Sequence, residues 1–179
     1  MRILKNYTLL FIVFVAAGLL FPACKDAANL AGSENLVKNF DHKVSYDWNE
    51  LFLEIERYAA GYRPGPAPRS LAYMGLSAYE ACITGMPEYN SLANLYTGLN
   101  IPEVVYGEVY HWPTVVNASY GYLMPLFFPN ASSDLKQKIS TLENYYYAQA
   151  QNGVNAEIIE RSKNYGQAVA AAIWEYSKT

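Results

Sequence analysis

Two histidines, two cysteines and a scatter of carboxylates are what 179 residues offer to acid–base, nucleophilic or metal chemistry. His42 is isolated in a polar stretch, and His111 has no carboxylate or cysteine cluster near it. A metal centre or an apparatus needing several histidines cannot be built from this pair alone. Cys82 sits in Ala-Tyr-Glu-Ala-Cys-Ile-Thr-Gly. That apolar context reads as a buried small hydrophobe rather than a nucleophile. Glu54 and Glu56 are two apart and do not share a helix face. Glu157, Glu160 and Arg161 read as a solvated cluster. Arg63 and Arg69 flank a proline-rich turn, either as an anion contact or as charges at helix ends. Tyr145, Tyr146 and Tyr147 on a helix point about 100° apart, so at most two can be core and one is left for a rim or interface. No Gly-rich phosphate loop, Gly-x-Ser-x-Gly elbow, His-Glu-x-x-His or Cys-x-x-Cys is present. The expected catalytic, cofactor-binding and metal-binding sets are therefore empty.

Cys24 is the one residue with a definite chemical expectation. Arg2 and Lys5 form a basic start, and Thr8 to Phe21 is an apolar run of 14 residues. Such a run fits a signal-peptide core and falls short of the ~20 residues of a membrane span. Phe21-Pro22-Ala23-Cys24 then resembles a bacterial lipobox, with Phe21 and Pro22 departing from its commonest form. The implied chemistry is a diacylglyceryl group on the Cys24 thiol and cleavage before it. Lys25-Asp26 resembles the charged export tag of surface lipoproteins of Bacteroidetes-type bacteria. The other reading is an uncleaved N-terminal anchor with Cys24 incidental. Both place the chain outside the cytoplasm on a membrane. The expected location is the bacterial outer membrane, on its periplasmic or surface face, held by lipid on Cys24. Removing residues 1–23 leaves 11 basic against 16 acidic side chains, a net charge of −5. That balance gives no footprint for nucleic acid. Cys82 is then the sole free thiol, and an intrachain disulfide is excluded.

The elements that must position these residues read as helices. The expected division is a leader over 1–23, a flexible tether over 24–45 and a helical domain over 46–179. A first helix spans Tyr46 to Tyr62, with Asp47 as N-cap and Glu50 completing a capping-box-like pair. Trp48, Leu51, Phe52, Ile55 and Tyr58 face its core, while Glu54, Glu56 and Arg57 face outward. Pro64, Pro66 and Pro68 force an extended turn. Ser70 then caps a helix over Leu71 to Thr84, whose small apolar residues mark it as the central, nearly all-round buried one. A third runs from about Val109 to Phe127, starting at His111 or Trp112 if Pro113 lies in its first turn, and ended by Pro125 and Pro129. A fourth begins at Ser132 or Ser133 and stops near Asn152-Gly153. A fifth is capped by Asn155. No strand signal has weight, so the expected fold is all-α, a bundle-like domain of about five helices. Hydrophobic residues at 52% and charged residues at 16% exclude a disordered chain.

One stretch carries a likeness. Trp48-Asn49 lies on a helix, followed by the turn Pro64 to Pro68 and then by Ala72 to Ala81 with Tyr79-Glu80. This order resembles the N-terminal helices of the vanadium-dependent haloperoxidase and type 2 phosphatidic acid phosphatase superfamily, in its bacterial lipoprotein form. The terminal stretch Tyr165 to Thr179 is similar to the helix leading toward the catalytic half. The resemblance implies phosphoester hydrolysis or vanadate-dependent halide oxidation in a full-length relative. The family holds its oxyanion with Lys-x6-Arg-Pro, Pro-Ser-Gly-His and Ser-Arg-x5-His-x3-Asp-like segments. Here the one Arg-Pro is Arg63-Pro64, Glu56 stands at the lysine position, and no Ser-Gly-His exists. No catalytic residue carries over. The expectation is an N-terminal helical fragment, inactive alone, with no cofactor in this chain although vanadate serves a full-length relative. Its apolar helix faces would take a missing C-terminal half or a protein partner. The alternative is a self-standing helical surface lipoprotein acting as a binding or scaffold module.

Overall fold

The computed structural model describes residues 35–179. Its α-helices are α1 (Lys43–Tyr58), α2 (Pro66–Cys82), α3 (Trp112–Phe127), α4 (Ser133–Gln151) and α5 (Ala156–Tyr176), with no strand among the described residues. This is the all-α, five-helix, bundle-like arrangement that the periodicity predicts. The leader, Cys24 and the first part of the expected tether lie outside the described residues. Residues 35–45, read as the end of that tether, rest on the body. Val37 and Phe40 pack against the core, and the Trp112 indole N–H donates to the Asn35 carbonyl at 2.8 Å.

α3 is the axis and packs against each of the other four helices. Its sequence WPTVVNASYGYLMPLF has no charged residue, so it alone can be surrounded on nearly all sides. The expectation that the Leu71–Thr84 helix would be central is corrected here. α2 leaves Leu71, Ala72 and Gly75 in solvent. Small side chains have little apolar area to gain from burial, and the larger residues of α3 compete better for the centre. Trp48, Phe52 and Ile55 of α1 face α3 and its following loop. The Trp48 ring stacks on Tyr120 at 5.8 Å, and Phe52 meets Phe128 edge-on at 5.2 Å. Each such fully buried side chain contributes roughly 1.5–3 kcal/mol. Tyr58, expected in this face, is 68% exposed, and Glu56, expected outside, is buried at 6%.

The polar groups of α3 are matched inside the bundle. The Trp48 indole N–H donates to Asn117 Oδ1 at 2.9 Å, and Asn117 Nδ2 donates to the Glu143 carbonyl at 3.0 Å. Ser77 and Ser119 hydroxyls bond each other at 2.7 Å. Among the described residues, no buried side-chain nitrogen or oxygen lacks a partner. An unmatched one would cost about 1–3 kcal/mol. Close approach of α5 to α3 depends on Gly166, where a Cβ would lie 2.2 Å from the Val115 carbonyl oxygen.

Helix ends differ from the sequence reading mainly at α1 and α2. α1 starts at Lys43 with His42 as N-cap, and the Asp41 carboxylate accepts the Lys43 N–H at 3.0 Å. Asp47 is thus one turn inside, where it pairs with Lys43 at 2.8 Å rather than capping. α1 closes at Tyr58, before Gly61, whose φ of +85° needs glycine. α2 begins at Pro66, because the first helical turn has no use for a proline N–H. Pro125 does not end α3: the Phe128 N–H still reaches the Met124 carbonyl at 3.0 Å. Ser132 and Asn155 cap α4 and α5 as expected, accepting from the N–H groups of Leu135 and Glu157.

Candidate functional site

The two arginines of the proline turn are both engaged. Arg63 Nε donates to Glu56 Oε2 at 2.5 Å, and its Nη2 reaches Glu56 Oε1, so the pair is bidentate. These bonds hold the Glu56 carboxyl below the usual carboxylate range. Glu56 is therefore an internal counter-ion on α1, seven residues before Arg63. Arg69 donates to the Ser177 carbonyl at the end of α5 and lies over the Tyr73 ring, 5.1 Å from its centre. A cation at a helix C-terminus complements its dipole. The helix-end reading of the arginines is the one this geometry supports.

The other chemical candidates are absorbed in the same way. His111 caps α3. Its Nδ1 bonds Thr114 Oγ1 at 2.7 Å, its backbone N–H donates to Ser162 Oγ at 2.9 Å, and its ring meets Phe40 edge-on. Burial pushes its imidazole below the ordinary value. His42 is exposed at the start of α1. Cys82 is buried at the end of α2, and burial pushes its thiol up to about 12. No group of three His, Cys, Asp or Glu able to hold a metal occurs among the described residues. Arg161 pairs with Glu108 at 2.8 Å and donates to the Val109 carbonyl, tying α5 to the loop before α3. The expected solvated cluster with Glu157 and Glu160 is thus half correct: both carboxylates are exposed, while Arg161 is spent elsewhere.

Vanadate or a phosphate ester needs several basic side chains converging on one oxyanion. The described residues do not fit such a group. Arg63 is closed by Glu56, Arg69 by the α5 carbonyl, and Lys138 by Glu54.

The three consecutive tyrosines divide as their helical spacing requires. Tyr145 is 48% exposed, and Tyr146 and Tyr147 are half-buried. Tyr146 donates to Asp47 Oδ2 at 2.5 Å, and Tyr147 donates to Glu143 Oε1 at 3.3 Å. Bonds from Lys43 and Tyr146 hold the Asp47 carboxyl below its ordinary value. Burial raises that of Glu143, whose carboxylate lies against Gly121 of α3.

Several concavities remain among the described residues, and two of them are broad. An open groove of about 1040 Å³ runs between α1 and α4, with Asp47, Glu54, Arg57, Tyr58, Lys138 and Tyr145 on its walls. A second, of about 790 Å³, lies between the end of α2, the following loop and Tyr165 of α5. Glu80 is at its base, fully buried, accepting from the Ser91 hydroxyl and the Leu92 N–H at 2.7 Å each. Sequence reasoning missed Glu80, Asn117 and Glu143. The signal for Asn117 was available: one amide in an otherwise charge-free apolar helix must find buried partners. Comparison with family models, curated proteins and solved structures finds no match to the chain.

Proposed function

We propose that the chain is the N-terminal helical unit of a lipid-anchored protein of the phosphatidic acid phosphatase and vanadium haloperoxidase kind, a scaffold without a reaction centre of its own. The observation that carries this reading is the outer face of α2. Leu71, Ala72 and Gly75 face solvent there, and no charge interrupts the helix between Arg69 and Glu80. An uncharged face with an alanine and a glycine beside Leu71 suits close approach of another helix. The missing half would cover it and bring the basic and histidine groups. Phosphoester hydrolysis or vanadate-dependent halide oxidation would belong to the assembled protein. Lipid on Cys24 would hold it at the outer membrane.

The nucleotide sequence following the Thr179 codon tests the reading. It is expected to encode, in one frame, the Lys-x6-Arg-Pro and Ser-Gly-His segments, and an intergenic stretch without them overturns it. The purified chain is expected neither to hydrolyse a phosphomonoester nor to brominate an acceptor with added vanadate. A second reading, a self-standing surface lipoprotein that binds a protein partner, is favoured by the groove between α1 and α4. The same downstream sequence separates the two.

A further inference from the structure

We infer that the cleft between the end of α2 and the 87–106 loop binds a neutral, hydroxyl-rich ligand, an oligosaccharide. The charge distribution selects against anions. Residues 70–135 contain no lysine or arginine, and Glu103 stands in the cleft wall. A phosphate, nucleotide or sulfated sugar would meet a carboxylate there and no countercharge. The wall mixes the two kinds of group: Asn90, Asn94 and Glu103 line it beside the rings of Tyr89 and Tyr106 and the apolar side chains of Leu99 and Ile101, which suits an amphipathic ligand such as a sugar ring.

Sugar rings present C–H faces and hydroxyl edges. The first pack on aromatic rings, and the second pair with amides, which accept and donate in the same plane, and with carboxylates, which accept. Tyr89 and Tyr106 are 61% and 68% exposed, so both rings are available for stacking. The side chains of Asn90, Asn94 and Glu103 and the hydroxyls of Tyr89 and Tyr106 make no hydrogen bond to the described residues. The backbone that carries them is braced. Glu80 fixes Ser91 and Leu92, the Tyr79 hydroxyl donates to the Asn90 carbonyl at 2.8 Å, and the Val105 N–H donates to the Tyr110 hydroxyl at 3.0 Å. Unspent polar groups on a braced loop lower the ordering cost of binding. The volume of about 790 Å³ lies within the range of small-ligand sites. The site does not depend on whether a second helical unit covers α2.

The test is calorimetric titration of the full chain with neutral hexasaccharides (α-1,4-glucan, β-1,4-glucan, β-1,4-xylan and β-1,4-mannan) and with a sulfated glucan. At least one neutral glycan is expected to bind. Tyr106→Ala and Tyr89→Ala are expected to weaken that binding about tenfold or more. Tyr58→Ala, an exposed ring of the other groove, is expected to leave it unchanged. All three side chains are exposed, so the melting temperatures should stay together, and Glu103→Ala supplies a further exposed variant. The proposal is overturned if none of the neutral glycans binds at roughly 10 mM. It is equally overturned if the tyrosine variants bind as tightly as the parent, or if the sulfated glucan binds best.

Discussion

At the scale of single residues, burial and pairing decide what chemistry each group retains. Cys82 is buried in the core at the end of α2, with its thiol pushed up to about 12. A thiol that is both protonated and inaccessible is inert. In the Cys24→Ser protein, a thiol reagent such as Ellman's is expected to react only as fast as the domain unfolds, and rapid labelling in native buffer would contradict the enclosed site. Glu143 and Asp47 give opposite pH responses. Burial raises the Glu143 carboxyl above 4.5, so the native state holds that proton more tightly than the unfolded chain. Its contribution to stability is present below 4.5 and is lost as pH rises through the raised value. Asp47 is lowered below 3.8 by Lys43 and Tyr146, so its contribution is present above 3.8 and lost as pH falls through the lowered value. Glu143→Gln keeps the acceptor for Tyr147 and removes the charge. Its urea midpoint should gain on the parent between about pH 4 and about pH 7, whereas an unchanged gap would mean that Glu143 ionises freely. The Glu56–Arg63 pair shows what spacing alone could not resolve. Seven residues separate them, but the chain turns after Tyr58, and the two meet only because α1 stops there.

At the scale of elements, glycines separate faces that must touch from faces that are open. Gly166→Ala puts a methyl group into the Val115 carbonyl and forces α3 and α5 apart. A loss of about 3 kcal/mol is expected by chemical denaturation. Gly75→Ala meets nothing within 4 Å on the outer face of α2. It should stabilise the chain by roughly 0.5–1 kcal/mol, and a loss there would show that α2 is strained. The helices whose ends were legible are those whose caps are local. Ser132, Asn152 and Asn155 act on N–H and C=O groups within a few residues, so α4 and α5 read correctly from the sequence. The ends of α1 and α2 were misplaced because Asp47 finds Tyr146 of α4 and Pro66 opens a helix where prolines suggested only a turn. Which helix is central was misread for a similar reason. Small residues look buried in a pattern, yet the choice depends on which other helix has more apolar area to hide.

At the scale of the whole molecule, the tyrosine excess becomes intelligible. Tyr62, Tyr110, Tyr120 and Tyr165 are core residues with hydroxyls at its margin, while Tyr89, Tyr96 and Tyr106 stand on the loop before α3. The all-α class and most of the α1, α4 and α5 core faces were readable from periodicity. The glycan cleft was not, because Glu80 and the loop residues come together only through bonds across 11 and 12 positions. The proposed attachment to a membrane is tested on the entire chain. Cys24→Ser is expected to abolish incorporation of labelled palmitate and to release the protein from the membrane fraction, while retained label would mean another acylation site. The loop between α2 and α3 also sets how the molecule meets proteases. Trypsin has no cleavage point from Ser70 to Leu135, a span that holds most of α2, the loop and α3. Chymotrypsin finds Tyr89, Leu95, Tyr96 and Tyr106 exposed on one side of the domain. A ligand seated in the cleft would shield Tyr89 and Tyr106 from the second enzyme, leave Leu95, Tyr96 and the distant Tyr58 and Tyr145 open to it, and leave trypsin indifferent.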